Sequence, residues 1–568
     1  MGQFTPGIYK GSAPGNAPDN KASRIEVSVT LSEDRIEDVT ILAHGEVKGV
    51  GFGIPTAPVE TLPGLIVKYQ SLGVPPVVGA EKTSKGIIKA VTKAIAASGA
   101  NTAKLSAPVK PEAHPDTERS VDFLILGGGV GGLAAAVEAK RAGLNVLVVE
   151  KGGVTGGSAA RSGGKLLASG TKWQHQQGIY DTPDMLFEYM MAQSKGKADK
   201  AKVRYFCEHA YDNILWLEEM GYHVQNVECI HESLFPWRVY NSPGGHYMSN
   251  GQGGEITTVM HHEYERLGGE FVFNCGLTSL IEENGAVTGA VCDYTGGGTL
   301  TVHAKNVLLA TGGSAQNREV NEKMYNLKGY YCSVPATNDG AGTRAAIKVG
   351  AREFVSPSIQ VNYCGLTSGI GIFEEAGLQV NERGERVCNE WAYQYVVGDA
   401  LRASNSHIAW YITSGDEPYP AVKEAFARGH IKGTTDWFAD SIEELAGKMK
   451  VDPEKLKATV DRYNELNELG EDKDFGKPAE YLFPIKGPKY AAFMYTPCVT
   501  VTYSGLVTDL CARVLDNSDK PIPGFYATGE TASGALYGTV YPACGTSIGS
   551  AMIWGRVAAR MAAGLSMM

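Results

Sequence analysis

The 568-residue sequence lacks the cysteine patterns of several metalloprotein classes. None of its ten cysteines is spaced as CxxC or CxxCH, so thiolate-bound zinc, iron–sulfur clusters and c-type haem are not expected. Scattered single cysteines are typical of free thiols in a reducing compartment. The sequence therefore predicts a cytoplasmic protein, with the mature form of an exported protein as the alternative.

Other features are also missing. No apolar run reaches the ~18 residues that a transmembrane helix needs, and the first residues have no apolar stretch of a signal peptide. The net charge of −10 and the lack of a long basic run argue against a nucleic-acid partner. A GxSxG motif is absent, which argues against a serine hydrolase. The pair His261–His262 shows no acidic partner spacing that suggests metal binding, and we expect no metal site.

Glycine, by contrast, is abundant, at 70 residues, and several glycines lie in one βαβ pattern. Residues 123–126 (FLIL) are typical of a buried strand, residues 133–142 of a helix, and residues 145–150 (NVLVVE) of a second strand. A strand–helix–strand alternation predicts a parallel sheet. The strand–helix–strand pattern at residues 123–150 therefore indicates a nucleotide-binding fold.

The turn between the first strand and the helix carries GxGxxG, formed by Gly127, Gly129 and Gly132. Gly127 permits a tight turn, Gly129 lets the backbone approach a pyrophosphate, and Gly132 lets the helix pack close to the strand. The phosphates would lie at the N-terminus of the helix. Glu150 ends the second strand, where an acid binds the adenosine ribose. Strand, helix, second strand and acid agree, so the motif predicts a dinucleotide site.

Three later segments extend this motif: GGSAARSGG at 156–164, ATGG at 310–313 and GFYATGE at 524–530. Together with GxGxxG they resemble the fumarate reductase/succinate dehydrogenase flavoprotein superfamily, over about residues 121–568. The resemblance implies FAD as cofactor. It implies further FAD contacts at Lys151, Gly157, Ser158, Ser162, Gly163, Gly164, Thr311, Gly312, Gly313, Gly529, Glu530, Ser547 and Ile548.

The resemblance also implies the domain organisation. We expect an FMN-binding-like domain at 1–105, a linker at 106–120, an FAD-binding domain at 121–355 and 486–568, and a capping domain for substrate at 356–485. The predicted fold class is α/β. A Rossmann-type FAD domain is interrupted by a mostly helical capping domain and preceded by a small α+β domain.

The N-terminal segment is similar to the FMN-binding domains that carry FMN on a phosphothreonine. The similarity includes GIYKG at 7–11 and VGAEKTS at 78–84, where the family has SGATxTS. Glu81 stands at the position of the threonine that carries FMN, and Thr83 stands at the following threonine. A carboxylate cannot form the phosphoester and would repel the phosphate. The domain is thus a candidate FMN site without covalent attachment, or a docking domain without FMN.

The sequence departs from fumarate-reducing members at the cations that hold a dicarboxylate. Gln394 aligns near the arginine proton donor, the segment at 500–505 (TVTYSG) has no histidine, and the late arginine is missing from 541–545 (YPACG). Burying a dicarboxylate without those partners costs several kcal/mol. Fumarate is therefore not the expected substrate.

The segment at 540–555 (VYPACGTSIGSAMIWG) resembles instead the 3-ketosteroid dehydrogenase branch. The resemblance implies that the Tyr541 hydroxyl and the Gly545 N–H bind a ketone oxygen, while hydride moves between the β-carbon and flavin N5. Two such donors stabilise the enolate charge that develops. Tyr393, or else Tyr395, is the expected acid/base for the α-proton. The predicted reaction is hydrogen transfer at a C=C or CH–CH bond conjugated to a ketone. The predicted substrate is a 3-ketosteroid.

Two alternatives stay open at this point. One is a reductase of an unsaturated acid of the fumarate, urocanate or cinnamate type, and the other is a non-catalytic electron-transfer flavoprotein. The N-terminal domain resembles an entry port for electrons, which favours the reductase direction. The expected partners are a small-molecule substrate and an electron-donating flavoprotein or reductase.

Overall fold

The computed structural model describes residues 3–16, 24–194, 196–224, 226–229, 239–242, 253–364, 377–392, 394–415, 423, 426–427, 436–532, 536, 538 and 541–568. The chain forms two compact units. The first contains Met1–Asn317, Val334–Ser356 and Thr502–Met568, and the second contains Arg318–Ser333 and Pro357–Val501.

The first unit begins with a small α+β module. Its three strands form an antiparallel sheet in sequence order, and two helices cover one face: Gly7–Pro14, Arg24–Leu31, Ile36–Ala43, Pro58–Tyr69 and Glu81–Ala96. Strand Arg24–Leu31 alternates, because Ile25, Val27 and Val29 are buried between more polar neighbours. Buried Ile87, Val91 and Ile95 of the second helix belong to the same apolar core.

The same unit continues with an eight-stranded sheet. Its central strands are parallel, in the order Thr299–Leu309, Thr117–Leu126, Val146–Val149 and Glu270–Val272. Strand Thr117–Leu126 starts before the predicted end of the linker. The remaining strands are Cys275–Glu283, Ala286–Tyr294, Arg513–Leu515 and Pro521–Ala527, and the helices include Val130–Arg141, Pro183–Gln193, Lys200–Glu218, Gly253–Arg266, Ala341–Lys348 and Thr546–Ala562.

Short elements complete this unit. Two small sheets pair Glu353–Phe354 with Gly505–Leu506, and Val239–Ser242 with both Leu166–Leu167 and Asn226–Cys229. Single helical turns occur at Thr102–Leu105, Ala159–Arg161, Lys172–Gln176 and Gly529–Ala532.

Helices Val130–Arg141 and Thr546–Ala562 approach each other closely. A Cβ on Gly555 would lie 2.3 Å from the carbonyl oxygen of Gly131, and a Cβ on Gly131 would lie 2.8 Å from Cγ2 of Thr528. Small residues at both positions are therefore required for this contact. It fixes the C-terminal helix beside the helix that follows the GxGxxG turn.

The N-terminal module packs against the FAD-binding part of the first unit. Val47, Val50, Ile54, Ala57 and Ala80 share an apolar cluster with Val154 and Ala160. The backbone N–H of Gly153 also donates to the carbonyl of Val78 over 2.9 Å. The module thus touches the segment that follows the second strand of the βαβ unit.

The second unit contains more strand than its sequence pattern predicts. Strand Tyr490–Thr502 pairs with Tyr331–Cys332, Ala409–Ser414, Ile359–Cys364 and Asp436–Ala439, and Leu378–Asn381 completes the six-stranded sheet. Its helices are Arg318–Tyr325, Gln394–Ala403, Ile442–Met449 and Pro453–Leu469, with one turn at Ala479–Tyr481. All residues of Ala409–Ser414 (AWYITS) are buried, and this strand lacks the polar alternation that marks a half-buried strand in sequence.

The cysteines differ in one respect from the expectation of free thiols. Cys498 is disulfide-bonded. Among the described residues, the free thiols are Cys207, Cys275, Cys292, Cys332, Cys388, Cys511 and Cys544. In the same part of the chain, no helix combines the length and the apolar character that crossing a membrane requires.

Candidate functional site

The GxGxxG turn is formed by contacts that exclude side chains. Gly127 has a φ of 110°, and a Cβ there would lie 2.3 Å from the carbonyl oxygen of Ala310. A Cβ on Gly132 would lie 2.0 Å from the carbonyl oxygen of Gly127. Both positions therefore need glycine for the backbone itself.

Gly129 differs, because it faces open space. A Cβ on Gly129 would meet only the Ala310 carbonyl oxygen, at 3.9 Å. Gly129 is the N-cap of helix Val130–Arg141, so no side chain covers the helix start. The N–H groups of a helix N-terminus bind phosphate. The turn therefore fits the pyrophosphate of FAD.

Glu150 closes the same turn from the second strand. Its carboxylate accepts hydrogen bonds from the backbone N–H of Gly128 (2.7 Å) and of Gly152 (2.6 Å). Burial raises the pKa of Glu150, and these two donors act in the opposite direction. The carboxylate thus holds the glycine turn in place. Its contact with the ribose stays a prediction.

A second carboxylate, the half-buried Glu530, joins three distant segments. It accepts from the backbone N–H of Thr502 (2.6 Å), from the Thr502 hydroxyl (2.9 Å) and from Nδ2 of Asn338 (2.9 Å). A Cβ on Gly313 would lie 2.5 Å from Glu530 Oε1. Burial raises the pKa of Glu530, although the donors oppose this shift. Asn338 lies in no motif, and the segment at 500–505 that contains Thr502 gives no sign in sequence of a contact with Glu530.

The hydroxyl of Thr531 connects the ATGG and GFYATGE segments. It donates to the carbonyl of Gly312 over 3.0 Å and lies 3.3 Å from the Thr311 hydroxyl. Gly529 has a φ of 65° and begins the turn that contains Glu530. Two motifs that are about two hundred residues apart in sequence therefore meet, as expected for contacts with one cofactor.

The segment at 156–164 follows the same pattern of small residues. The Gly156 N–H donates to the Gly128 carbonyl over 2.8 Å, which brings this segment to the glycine turn. The Ser162 hydroxyl donates to the Ala159 carbonyl (2.7 Å) and accepts from the Gly164 N–H (3.2 Å). A Cβ on Gly163 would contact none of the described atoms within 4 Å. The surroundings leave room for a ligand at this position.

The other predicted cofactor contacts lie around this core. Lys151 forms an ion pair with Asp339, with Nζ and Oδ2 2.6 Å apart. Gly157 has a φ of 53°, and Ser158 precedes the helical turn Ala159–Arg161. Ile548 is buried in the first turn of helix Thr546–Ala562.

Tyr541 lies against the N-terminus of that helix. The residue is buried. Its phenolic oxygen accepts a hydrogen bond from the backbone N–H of Ser547, and the backbone N–H of Tyr541 donates to the Tyr503 hydroxyl over 3.1 Å. Gly545 is the N-cap, with a φ of 89°, and a Cβ there would lie 2.5 Å from the backbone nitrogen of Leu167. The structure thus brings Tyr541, Gly545 and Ser547 together.

The two tyrosines proposed as acid/base cannot be added to this group. Tyr393 lies outside the described residues. Tyr395 belongs to helix Gln394–Ala403, and the described part of the chain does not include its side chain. Both roles stay predictions.

Glu81 of the N-terminal module contacts the FAD-binding segment. Arg161 donates to the Gly79 carbonyl, and its Nη2 lies 3.9 Å from Glu81 Oε2. Thr83 is buried, and its hydroxyl donates to the Glu46 carboxylate. Neither side chain at the phosphothreonine motif is therefore an exposed hydroxyl.

The glycine turn and the segments at 156–164, 310–313 and 524–530 together have the arrangement of a flavoprotein, and comparison with known proteins agrees. Residues 122–548 match the model of the family described as FAD binding domain. The chain belongs to this family and is a flavoprotein of the fumarate reductase/succinate dehydrogenase type. The predicted α/β fold class and FAD are confirmed.

Individual relatives act on different substrates. The urocanate reductase of Eggerthella lenta is 29% identical and covers 96% of this chain and 91% of its own length. A flavocytochrome c3 fumarate reductase structure is 27% identical over 78% of each chain, with a TM-score of 0.66. The 3-ketosteroid-Δ4-(5α)-dehydrogenase of Rhodococcus jostii RHA1 is 27% identical over 80% of this chain and all of its own, with a TM-score of 0.65. The chain is an FAD-dependent oxidoreductase.

Proposed function

We propose that this oxidoreductase reduces a C=C bond conjugated to a ketone, with a 3-ketosteroid as the first candidate substrate. The observation that carries this proposal is the position of Tyr541 beside Gly545 at the start of helix Thr546–Ala562. In this proposal the Tyr541 hydroxyl, which accepts from the Ser547 N–H, donates its O–H to the substrate oxygen.

This arrangement suits a reaction that develops negative charge on oxygen. When bound, FAD supplies the hydride that is added at the β-carbon. The Tyr541 hydroxyl and the Gly545 N–H hold the carbonyl oxygen as it becomes an enolate, and the helix N-terminus adds a favourable dipole. Tyr393, or Tyr395 in its place, delivers the proton to the α-carbon.

Two of the arginines that could bind a carboxylate, Arg161 and Arg402, already have acidic neighbours, which favours a ketone over an acid. Arg161 is engaged by the Gly79 carbonyl and Glu81, and Arg402 donates to Asp399 over 2.8 Å. An arginine that already has an anionic partner gives less stabilisation to a second carboxylate. A neutral ketone needs no such cation.

The similarity of the N-terminal module to an electron entry port favours reduction as the direction of the reaction. We propose that the module receives electrons from a donor flavoprotein or reductase, which favours reduction of the substrate. FMN, where it is present in this module, is not covalently bound, because Glu81 occupies the acceptor position. The contact of Glu81 with Arg161 connects the module directly to the FAD-binding segment.

An unsaturated carboxylic acid is the second candidate substrate. The similarity to urocanate reductase favours it, because that similarity covers 96% of the chain, including the N-terminal module. Ketone and acid share the same charge development at a carbonyl oxygen. They differ in the cation that must balance the carboxylate.

An anaerobic reoxidation screen distinguishes the candidates. Photoreduced enzyme is mixed with 3-ketosteroid enones, urocanate, cinnamate or fumarate, and flavin absorbance is followed in time. Rapid reoxidation by enones alone is the expected result. Reoxidation by an acid alone would establish the second candidate, and reoxidation by none of these compounds would contradict both.

A further inference from the structure

Three side chains on helix Gly253–Arg266 bring two imidazole nitrogens and a carboxylate together. Nε2 of His261 lies 3.4 Å from Glu265 Oε1, and Nδ1 of His262 lies 3.4 Å from Glu265 Oε2. The three potential ligand atoms lie within 4.8 Å of one another. The proposed reaction uses none of these residues, so the cluster needs an explanation of its own.

The partners of His262 determine where its proton lies. Nε2 is 2.9 Å from the carbonyl oxygen of Gly53, and a carbonyl only accepts, so Nε2 carries a hydrogen. On the neutral ring, Nδ1 then holds a lone pair. That lone pair faces a carboxylate oxygen, which is also an acceptor. A cation between the two atoms would be attracted to both.

His261 supplies the second nitrogen from the interior. Its side chain is 1% exposed, and its ring stacks on Phe271 with 4.6 Å between centroids. Nδ1 lies 3.0 Å from the Thr155 hydroxyl, which can accept its hydrogen. Nε2 is buried and has no hydrogen-bond partner among the described residues. A metal-ligating histidine usually has its other ring nitrogen held by a hydrogen bond, and the Thr155 hydroxyl can hold Nδ1 in this way.

We propose that His261, His262 and Glu265 bind one divalent transition-metal ion, with Zn²⁺ as the best match. Imidazole and carboxylate ligands suit zinc, and three protein ligands leave a fourth position for water. His262 and Glu265 are half-exposed and exposed, so solvent reaches this position. The ion joins three side chains of one helix, and His262 also contacts the Gly53 carbonyl in the N-terminal module.

The site corrects the expectation that this histidine pair has no acidic partner. The spacing is HHxxE, in which Glu265 lies four residues after His261 and three residues after His262. On a helix these separations bring side chains together. The sequence signal was therefore present.

Zinc titration of the FAD-loaded, full-length enzyme tests the proposal. The protein is treated with EDTA, exchanged into chelator-free buffer and titrated with ZnCl₂ in a calorimeter, while metal content is measured after removal of unbound zinc. One zinc per chain is expected, together with a higher melting temperature. His262→Gln and Glu265→Gln should each weaken binding by at least about 10-fold, as expected for loss of a metal-shell residue.

A matched control is available in the same unit. His303 forms a pair with Glu118, with Nε2 and Oε1 3.0 Å apart. His303→Gln should bind zinc like the original protein. Equal binding by all three variants would assign the zinc to other groups such as free thiols and overturn the site, as would a lack of bound zinc in the original protein. All variants should retain their FAD, which shows that they are folded.

Discussion

The phenolic oxygen of Tyr541 accepts a hydrogen bond from the backbone N–H of Ser547, 3.2 Å away. The two residues are six positions apart in sequence, and the chain turns between them at Gly545. This contact fixes the orientation of the phenol beside Gly545. It is the geometric basis of the ketone hypothesis and of the first prediction.

Tyr541→Phe removes one hydroxyl and little volume. We expect flavin reoxidation by an enone to slow by about 10²-fold or more, since loss of one oxyanion donor has this effect in other enzymes. The loss should appear in both kcat and kcat/KM, because the hydrogen bond strengthens as charge develops. FAD content should not change. Stopped-flow reoxidation and absorbance measure the two quantities.

The matched control for this variant is Tyr69→Phe, which removes the hydroxyl that contacts Glu112 in the N-terminal module. It should retain the original turnover. Near-normal turnover of Tyr541→Phe would remove Tyr541 from the mechanism and, with it, the main reason to prefer a ketone.

The second prediction concerns flavin attachment. The polypeptide should carry no covalent FMN, because Glu81 replaces the acceptor threonine and the Thr83 hydroxyl is engaged by Glu46. Denaturing mass spectrometry should give the mass of the unmodified chain. An added FMN that maps to the first 105 residues would show that the motif was misinterpreted.

The third prediction tests the glycine turn. In Gly132→Ala the new methyl group would meet the Gly127 carbonyl oxygen at 2.0 Å, so the turn must shift. We expect purified protein to lose most of its FAD and its melting temperature to fall. The control is Gly64→Ala in helix Pro58–Tyr69, where a Cβ would contact no described atom within 4 Å. The Gly64→Ala variant should retain FAD, and its free energy of unfolding should rise by up to about 1 kcal/mol.

The fourth prediction is a pH dependence of stability. Lys202 is buried, its Nζ donates to the Thr508 hydroxyl over 2.6 Å, and burial lowers its pKa from 10.5 to about 8. Between pH 8 and pH 10.5 the unfolded chain therefore holds a proton that the folded chain has lost. In this window Lys202 makes the folded state more stable as pH rises, and below pH 8 its charge is a constant cost.

Lys202→Met removes this charge and retains most of the volume. The variant should be more stable at pH 7, by about 3 kcal/mol at most, and its advantage should shrink from pH 8 to pH 10.5. Urea unfolding of both proteins at several pH values measures the difference. A stability difference that does not change with pH would show that the Lys202 pKa is normal.

The contrast between Gly127 and Glu530 shows how far the sequence could predict the site. Gly127, Gly132 and Glu150 lie within one βαβ unit, so local spacing alone indicated their proximity. Glu530 was indicated by its motif, but its donors Asn338 and Thr502 come from separate chain segments. A single sequence has no local pattern for such long-range contacts.

The second unit shows a different limit. Strand Ala409–Ser414 is buried at every position, so its sequence lacks the polar alternation that distinguishes a strand from a buried helix. Helix Pro453–Leu469 has polar and apolar faces, an Asp452 cap and a terminal Gly470, and these features mark a helix in the sequence alone. Burial on both faces therefore explains why helices dominated the prediction.

The three-segment composition of the first unit has a consequence for biosynthesis. A ribosome delivers the glycine turn at 127–132 well before Glu530 and helix Thr546–Ala562, which packs against helix Val130–Arg141. A nascent chain that ends near residue 501 has neither. Flavin capture must therefore wait until both have been translated, and chains that terminate before them should be discarded as apoprotein by cellular quality control.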